Sequence, residues 1–561
     1  MILNRVSKAF ESRHSWAILL FLVNIVSAVF TNLHDDEAYY WLFSKHLDWG
    51  YFDHPPMVAL FIKVTTFLLG DTLIGVRLLS PISIVALWYM LTDLLKEQAR
   101  DNYLWIGIAF LASPILQIYG FVTTPDVPLF LFGTAFLWAL KQLLLNRKGA
   151  ILLLALSMTL LAYSKYHGAL VVGYALIPLI WRKVFLKVIL AGAIALLLYL
   201  PHLYWQFEHA WPSFKYHLVS RHTGMEWSYV AEFILGVLLM SGALLFFKKR
   251  DLSLDQKVER QFGQSLKWVL WGFTIFFSAI LLNGKIELHW LGFIALPILL
   301  LLDIQKLSAS KWQRVALISQ LLLVMLARVT LPVVQDNFEA FQKDEDWARD
   351  IGEKATGKPV VFMNSFQKAS KFQFYTGSLA WSDNNSFYRK NQFDIWQHDT
   401  LLNDKDVYYV TKYRRGSFIE DVEGDLLGGT IVNYMALQRL SGQINSLQYE
   451  QVGGLFEGEI EFTLVNPYSY PLNFEHPQIG LEPSVYLDIG DFQDLVRIFP
   501  ETGEFSMPAK SSKKFIGLFQ HTNVNRDISK GEATLMLLKG PTYAQVLSSG
   551  YEVEINRRND F

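Results

Sequence analysis

The sequence predicts a polytopic α-helical membrane protein of about eleven transmembrane helices, ending in a water-soluble region with α/β and β-sandwich-like character. Three observations predict it. Of 561 residues 52% are hydrophobic, and the mean hydropathy is +0.24, too apolar for an ordinary soluble chain. Apolar runs long enough to span a bilayer, or nearly so, recur as far as about residue 331. Beyond it the pattern changes to Gly and Asn turns with alternating strands, of which Gly458-Glu459-Ile460-Glu461-Phe462-Thr463-Leu464 is one.

The predicted spans lie at 15–32, 74–95, 103–120, 127–145, 150–163, 168–181, 184–202, 229–247, 267–282, 289–303 and 313–331. Runs 150–163 and 168–181 fall short of the roughly 17–25 residues of a full span, so a re-entrant pair joined at Ser164-Lys165-Tyr166-His167 is an alternative reading. Arg5, Lys8 and Arg13 precede the first run, as in a signal peptide. No small-residue cleavage pattern follows, so a retained helix is expected.

Lys and Arg resist translocation, and they sort the loops into two classes. The N-terminus and the loops holding Lys96, Arg147, Lys148, Arg182, Lys183, Lys248, Lys249, Arg250, Lys306 and Arg314 are expected in the cytoplasm. Loops 33–73, 121–126, 203–228 and 283–288 are expected outside, and an odd number of spans places 332–561 there too. The expected domains are 1–331 in the membrane, 332–445 as a small α/β unit, and 446–561 as a β-rich unit. Val360–Met363 and Val407–Val410 read as buried strands, with helices near 344–355 and 366–376.

Composition removes several functions. Lys plus Arg number 50 against 51 Asp plus Glu, so no basic surplus points to nucleic acid. Cysteine is absent, so any metal must be held by carboxylate, imidazole, carbonyl or water. No P-loop, dinucleotide fingerprint, metalloprotease helix motif or nucleophile elbow occurs, which argues against nucleotide cofactors, ATP-driven transport, redox chemistry and serine hydrolysis.

Chemistry concentrates in the loops expected outside. The first holds His34-Asp35-Asp36-Glu37 and, after Asp48-Trp49-Gly50-Tyr51-Phe52, Asp53-His54-Pro55-Pro56. Three consecutive acids beside a membrane helix must face water or a cavity, and a solvated loop anchored by interfacial aromatics would look the same. Thr124-Pro125-Asp126 has the form of a helix start, and it also sets Asp126 at a cavity mouth. Lys165 and His167 sit between two short apolar runs, where an ionisable group marks function or a snorkelling side chain. His202, His217, Arg221 and His222 crowd the 203–228 loop region with Trp205, Trp211 and Trp227, and Lys285 to Trp290 adds a last cluster. Imidazole and guanidinium suit a phosphate, while indole faces suit sugars or lipid.

In their order, Asp36-Glu37-Ala38-Tyr39-Tyr40-Trp41, Gly50-Tyr51-Phe52-Asp53-His54-Pro55-Pro56, Thr124-Pro125-Asp126-Val127-Pro128 and Ser164-Lys165-Tyr166-His167-Gly168 resemble the bacterial branch of the protein-mannosyltransferase-like superfamily, glycosyltransferase family 39. Trp211-Pro212-Ser213-Phe214, Lys285 to Trp290 and Asn391-Gln392-Phe393-Asp394-Ile395-Trp396 resemble family segments as well. The resemblance covers about 1–410. It implies a GT-C fold in the bacterial cytoplasmic membrane and a polyprenyl-phosphate sugar donor. The acceptor would be a lipid such as lipid A, a glycan or a protein. It implies Asp36 as the base that deprotonates the acceptor hydroxyl, beside Glu37, with Asp53, His54 and Asp126 near a divalent metal ion (Mg, Mn or Zn). The donor phosphate would fall to His54, Lys165, His202, Arg221, His222 and Lys285. Aminoarabinose transferases carry Glu-Lys where this chain has Asp53-His54, so His54 would contact phosphate when protonated or a metal when neutral. Two other classes stay open: a transporter or flippase of a lipid-linked precursor, expected to carry charge at mid-span and related halves, and a membrane-anchored binding protein working through 332–561.

Overall fold

The computed structural model describes residues 10–99, 102–218, 224, 226–251, 256–282, 284–341, 345–384, 388–396, 398–411, 420–421, 428–437, 439–452, 455–474, 481–489, 492–501, 505–522, 530–539, 543–546 and 551–554. The chain forms two compact units, Met1–Lys343 and Asp344–Phe561.

The first unit is helical, and every apolar run named above contains a helix. Among the described residues six helices are long and apolar enough to cross a membrane: Arg13–Phe30, Leu73–Leu94, Asp126–Leu144, Phe185–Glu208, Trp227–Leu245 and Lys311–Asn337. The rest depart from simple spans for local reasons. The run 103–120 breaks into Tyr103–Leu111 and Pro114–Ile118 because Pro114 cannot continue the helix before it. Ala150–Ala162 and His167–Leu176 are short, and the turn between them carries Lys165. Lys257–Ile280 is long but begins with Lys257, Glu259 and Arg260.

The segment 33–73, read from sequence as a loop, holds two helices, Asp35–Lys45 and Met57–Leu69. The second is as apolar as a span yet about 20 Å long at 1.5 Å per residue, short of a 30 Å hydrocarbon core. Of Lys311–Val334 only Leu317 is buried, and its wide apolar surface requires lipid around it. Its one cation in the later turns, Arg328, points inward and donates to the Val23 and Gln117 carbonyls and to Asn24, Ser27 and Gln117 side chains. An ionisable group at such depth is retained by partners of this kind. Past this helix, Asn32 bonds Gln335, Asp336 and the Phe341 carbonyl, so the chain to Phe341 packs on the first unit, beyond the boundary of 331 read from sequence.

The second unit begins with a five-stranded sheet, ordered Ala380–Asp383, Val360–Met363, Asp406–Thr411, Gly428–Asn433, Glu420–Asp421. The first three strands are parallel and the last two antiparallel. Helices Glu345–Ala355 and Phe366–Thr376 flank it, as expected. Two antiparallel sheets follow, one built on Ser441–Val452, Leu455–Asn466 and Ser511–Thr522, the other on Leu481–Ile489, Phe492–Arg497 and Lys530–Lys539. Ile460, Phe462 and Leu464 on one are buried in the alternation a half-buried sheet requires, and Val485, Leu535, Met536 and Leu537 on the other are buried as well.

Asp394 in this unit gives a pH test. It caps its own turn, accepting from the Asn391 backbone at 2.7 Å and from Asn384 at 3.0 Å. Burial nevertheless pushes its carboxyl up to about 6. The folded unit therefore holds this proton more tightly than the unfolded chain does. Its stabilising contribution is complete below the ordinary carboxylate value of about 4 and is lost as pH rises through about 6. In Asp394→Asn the capping acceptor remains and the titration does not. Thermal unfolding of the full chain between those pH values should therefore fall less steeply in the variant than in the wild type.

Candidate active site

The three acids of Asp35-Asp36-Glu37 open one helix and have separate fates. His34 is its N-cap: its Nδ1 accepts the Asp36 N–H at 3.1 Å, and its own N–H donates to Glu37 Oε2 at 3.0 Å, closing a capping box. Glu37 is fully buried. Its carboxylate takes two bonds from Arg77 Nε, at 2.8 and 3.1 Å, a short one from Arg77 Nη2, and the Thr123 N–H at 2.8 Å. Arg77 spends its remaining donors on the Ala28, Thr31 and Asn32 carbonyls. A carboxylate so committed has no lone pair aimed at a substrate. Glu37, a catalytic candidate from sequence, instead ties the first helix, the 73–77 helix and the 123–126 turn together. Asp36, one residue earlier, is half-buried, and its carboxylate makes no hydrogen bond or ion pair among the described residues.

Facing it is a second cluster. Lys165 Nζ bridges both oxygens of Asp126 at 2.9 Å, with both side chains buried. The buried Tyr119 hydroxyl lies in the field of the same carboxylate and of Asp36. His289 stands within electrostatic reach of Lys165, Asp126, Glu287 and Asp36. Asp36, Asp126, Lys165, Tyr119 and His289 thus share one space. Tyr119 was not singled out in the sequence, where it lies inside the apolar run 103–120, and His289 stood only within the Lys285–Trp290 segment.

The loop from Asp48 to Pro56 is held from the end of the helix Phe185–Glu208. His202 Nδ1 donates to the Trp49 carbonyl at 2.7 Å, and Trp205 Nε1 to Asp48 Oδ2 at 2.7 Å. His202 Nε2 then accepts from Tyr166 at 3.2 Å, so both ring nitrogens are engaged in a fully buried neutral imidazole. That removes His202 from the phosphate ligands expected of it and makes it a clamp. Tyr51 donates to the Phe43 and His46 carbonyls and stacks on Phe43 at 4.0 Å. Burial pushes its hydroxyl above the ordinary range. At the centre of the clamp a Cβ on Gly50 would lie 2.5 Å from the Trp205 ring and 3.0 Å from His202. Gly50→Ala should cost about 1–3 kcal/mol as overpacking. It should lower the thermal unfolding midpoint and the donor affinity together.

Asp53 is buried beside His54, whose ring meets Tyr40 at 5.6 Å and His217 at 6.5 Å. Tyr166 lies in the field of Asp53. Lys165 is committed to Asp126, so it reaches a phosphate only as half of that pair. Lys285 is half-exposed and pairs with Glu232 at 3.3 Å. Arg221 and His222 lie outside the described residues. The three metal candidates do not fit one ion: Lys165 occupies the Asp126 carboxylate, and no three metal-ligating side chains converge among the described residues. No step below runs through a metal.

A helical membrane unit that gathers acids, imidazoles and a lysine at one cluster has the fold of the GT-C glycosyltransferases, and solved structures agree. ArnT from Cupriavidus metallidurans in the apo state superposes with a TM-score of 0.55 at 15% identity, over 74% of this chain and 97% of that one. The same protein bound to undecaprenyl phosphate gives 0.53 at 14%, over 75% and 98%. More particularly, residues 53–205 match the family of dolichyl-phosphate-mannose-protein mannosyltransferases. Among curated relatives, lipid A galacturonosyltransferase RgtD of Rhizobium johnstonii is 32% identical over 186 residues, 32% of this chain and 39% of that protein. The chain thus spans about two-fifths of that relative's length.

Proposed function

We propose that this chain is an inverting glycosyltransferase that moves a sugar from a polyprenyl-phosphate donor to a lipid hydroxyl, with Asp36 as the general base. The carrying observation is the contrast between Asp36 and its neighbours: Glu37 and Asp126 are consumed by Arg77 and Lys165, while the half-buried Asp36 carboxylate makes no hydrogen bond or ion pair among the described residues. In the reaction the acceptor oxygen gives its proton to Asp36 and bonds to the anomeric carbon from the side opposite the phosphate. The carbon–oxygen bond to the phosphate breaks, and its electron pair leaves with the polyprenyl phosphate. Charge grows on that phosphate, and we assign His54 and the Lys165–Asp126 pair to meet it.

The donor class is supported by the undecaprenyl phosphate bound to the ArnT structure, and the acceptor class by the name of the galacturonosyltransferase. Lipid A is the acceptor we favour, and a hexuronic acid the sugar. The bias of Lys and Arg among the loops supports the N-terminus in the cytoplasm of a bacterial cell, and the Asp36 loop and the second unit outside its inner membrane. Mass spectrometry of envelope lipids from cells with and without the chain tests this reading. A lipid A species heavier by one sugar residue only in its presence is expected; identical lipid profiles would overturn it.

A further inference from the structure

The segment Trp211-Pro212-Ser213-Phe214 has no part in the chemistry above, yet it reaches the donor loop. After the helix Phe185–Glu208 the chain turns through Ala210 and Trp211, both left-handed at φ 58° and 61°, and enters the short helix Pro212–Leu218. Two consecutive non-glycine residues in that region persist only where the surroundings hold them. The holding contacts are specific. Gln206 Nε2 donates to Ser213 Oγ at 2.7 Å and to the Tyr166 hydroxyl at 2.9 Å. Ser213 Oγ in turn donates to the Tyr51 carbonyl at 3.0 Å. One turn on, His217 Nε2 donates to the Asp53 carbonyl at 3.1 Å. Gln206 and Ser213 are fully buried.

We propose that Gln206, Ser213 and His217 are positioning residues for the donor-binding loop, fixing the backbone that aims Asp53 and His54. The inference rests on the reading of that loop as the donor site. His202 and Trp205 hold the loop at Trp49 and Asp48, ahead of its reactive pair. The bonds from Ser213 and His217 fall on the Tyr51 and Asp53 carbonyls themselves. Through Tyr166 the same relay reaches the segment that carries Lys165, so both phosphate-facing groups are referred to one buried amide. None of the three side chains needs to touch the substrate for this. A misplaced loop weakens donor binding and leaves the chemical step intact, which separates this role from that of Asp36.

The test uses full-length protein in detergent, titrated calorimetrically with a short-chain polyprenyl phosphate while transfer is assayed in parallel. Ser213→Ala is expected to weaken binding about tenfold, roughly 1.4 kcal/mol, and to raise donor KM equally, with kcat and acceptor KM near wild type. Ser213→Thr keeps the hydroxyl and should recover most of the affinity. His217→Phe keeps the ring packing, loses the bond to Asp53 and should repeat the split, which covers the case of a Ser213→Ala protein that fails to fold. Wild-type affinity in Ser213→Ala or His217→Phe overturns the proposal, as does a fall in kcat with donor KM unchanged. If the wild type binds no polyprenyl phosphate, the donor reading itself fails and this inference goes with it.

Discussion

Asp36→Asn should slow sugar transfer by about 10²–10⁴-fold, the usual worth of a positioned general base, while polyprenyl phosphate binding and thermal unfolding stay near wild type. The isosteric amide keeps the packing around the half-buried side chain, and no hydrogen bond to that carboxylate is lost because none is made among the described residues. The comparison that gives the experiment force is Glu37→Gln. It also should abolish transfer, but by loosening the Arg77 hub, so its unfolding midpoint falls together with its activity. A folded Asp36→Asn protein with wild-type turnover would remove Asp36 as the base. The base would then be sought in Asp126, freed from Lys165, or in His289.

What the sequence made legible follows from the range of the interactions. Helices written by long apolar runs and the alternating stretch Gly458–Leu464, which lies within the strand Leu455–Asn466, depend on neighbours a few residues apart, and each stands where the pattern placed it. Met57–Leu69 was missed because a short apolar helix differs from a span only in length, and the sequence around it reads as loop. The roles within the site depend on pairs far apart in the chain. Glu37 meets Arg77 forty positions on, and His202 reaches Trp49 across 153. Adjacent acids look alike in a string of letters. One of them becomes structural only when a five-residue helix brings a guanidinium beneath it. Lys165 shows the same limit: its setting in the turn between two short apolar runs was legible, but its commitment to Asp126 was not.

Arg77→Met is expected to be the most destabilising single change in the first unit, on the order of 3–5 kcal/mol, because it leaves the Glu37 carboxylate buried and unpaired. Three carbonyls at the end of the first helix, those of Ala28, Thr31 and Asn32, lose their donors in the same step. Adding Glu37→Leu removes the stranded charge, so the double variant should be less damaged than the sum of the two single ones. It should still fall short of wild type, since the Thr123 N–H and the three carbonyls remain unserved. Thermal unfolding of the four proteins in one detergent gives that coupling. Transfer activity adds the functional half. Among the described residues Arg77 makes no hydrogen bond or ion pair to Asp36, Asp126 or Lys165, but through Glu37 it fixes both the helix that carries Asp36 and the turn that carries Asp126. Activity in the double variant should therefore stay low even where its stability has partly returned, and a double variant with wild-type turnover would show that the hub serves the fold alone.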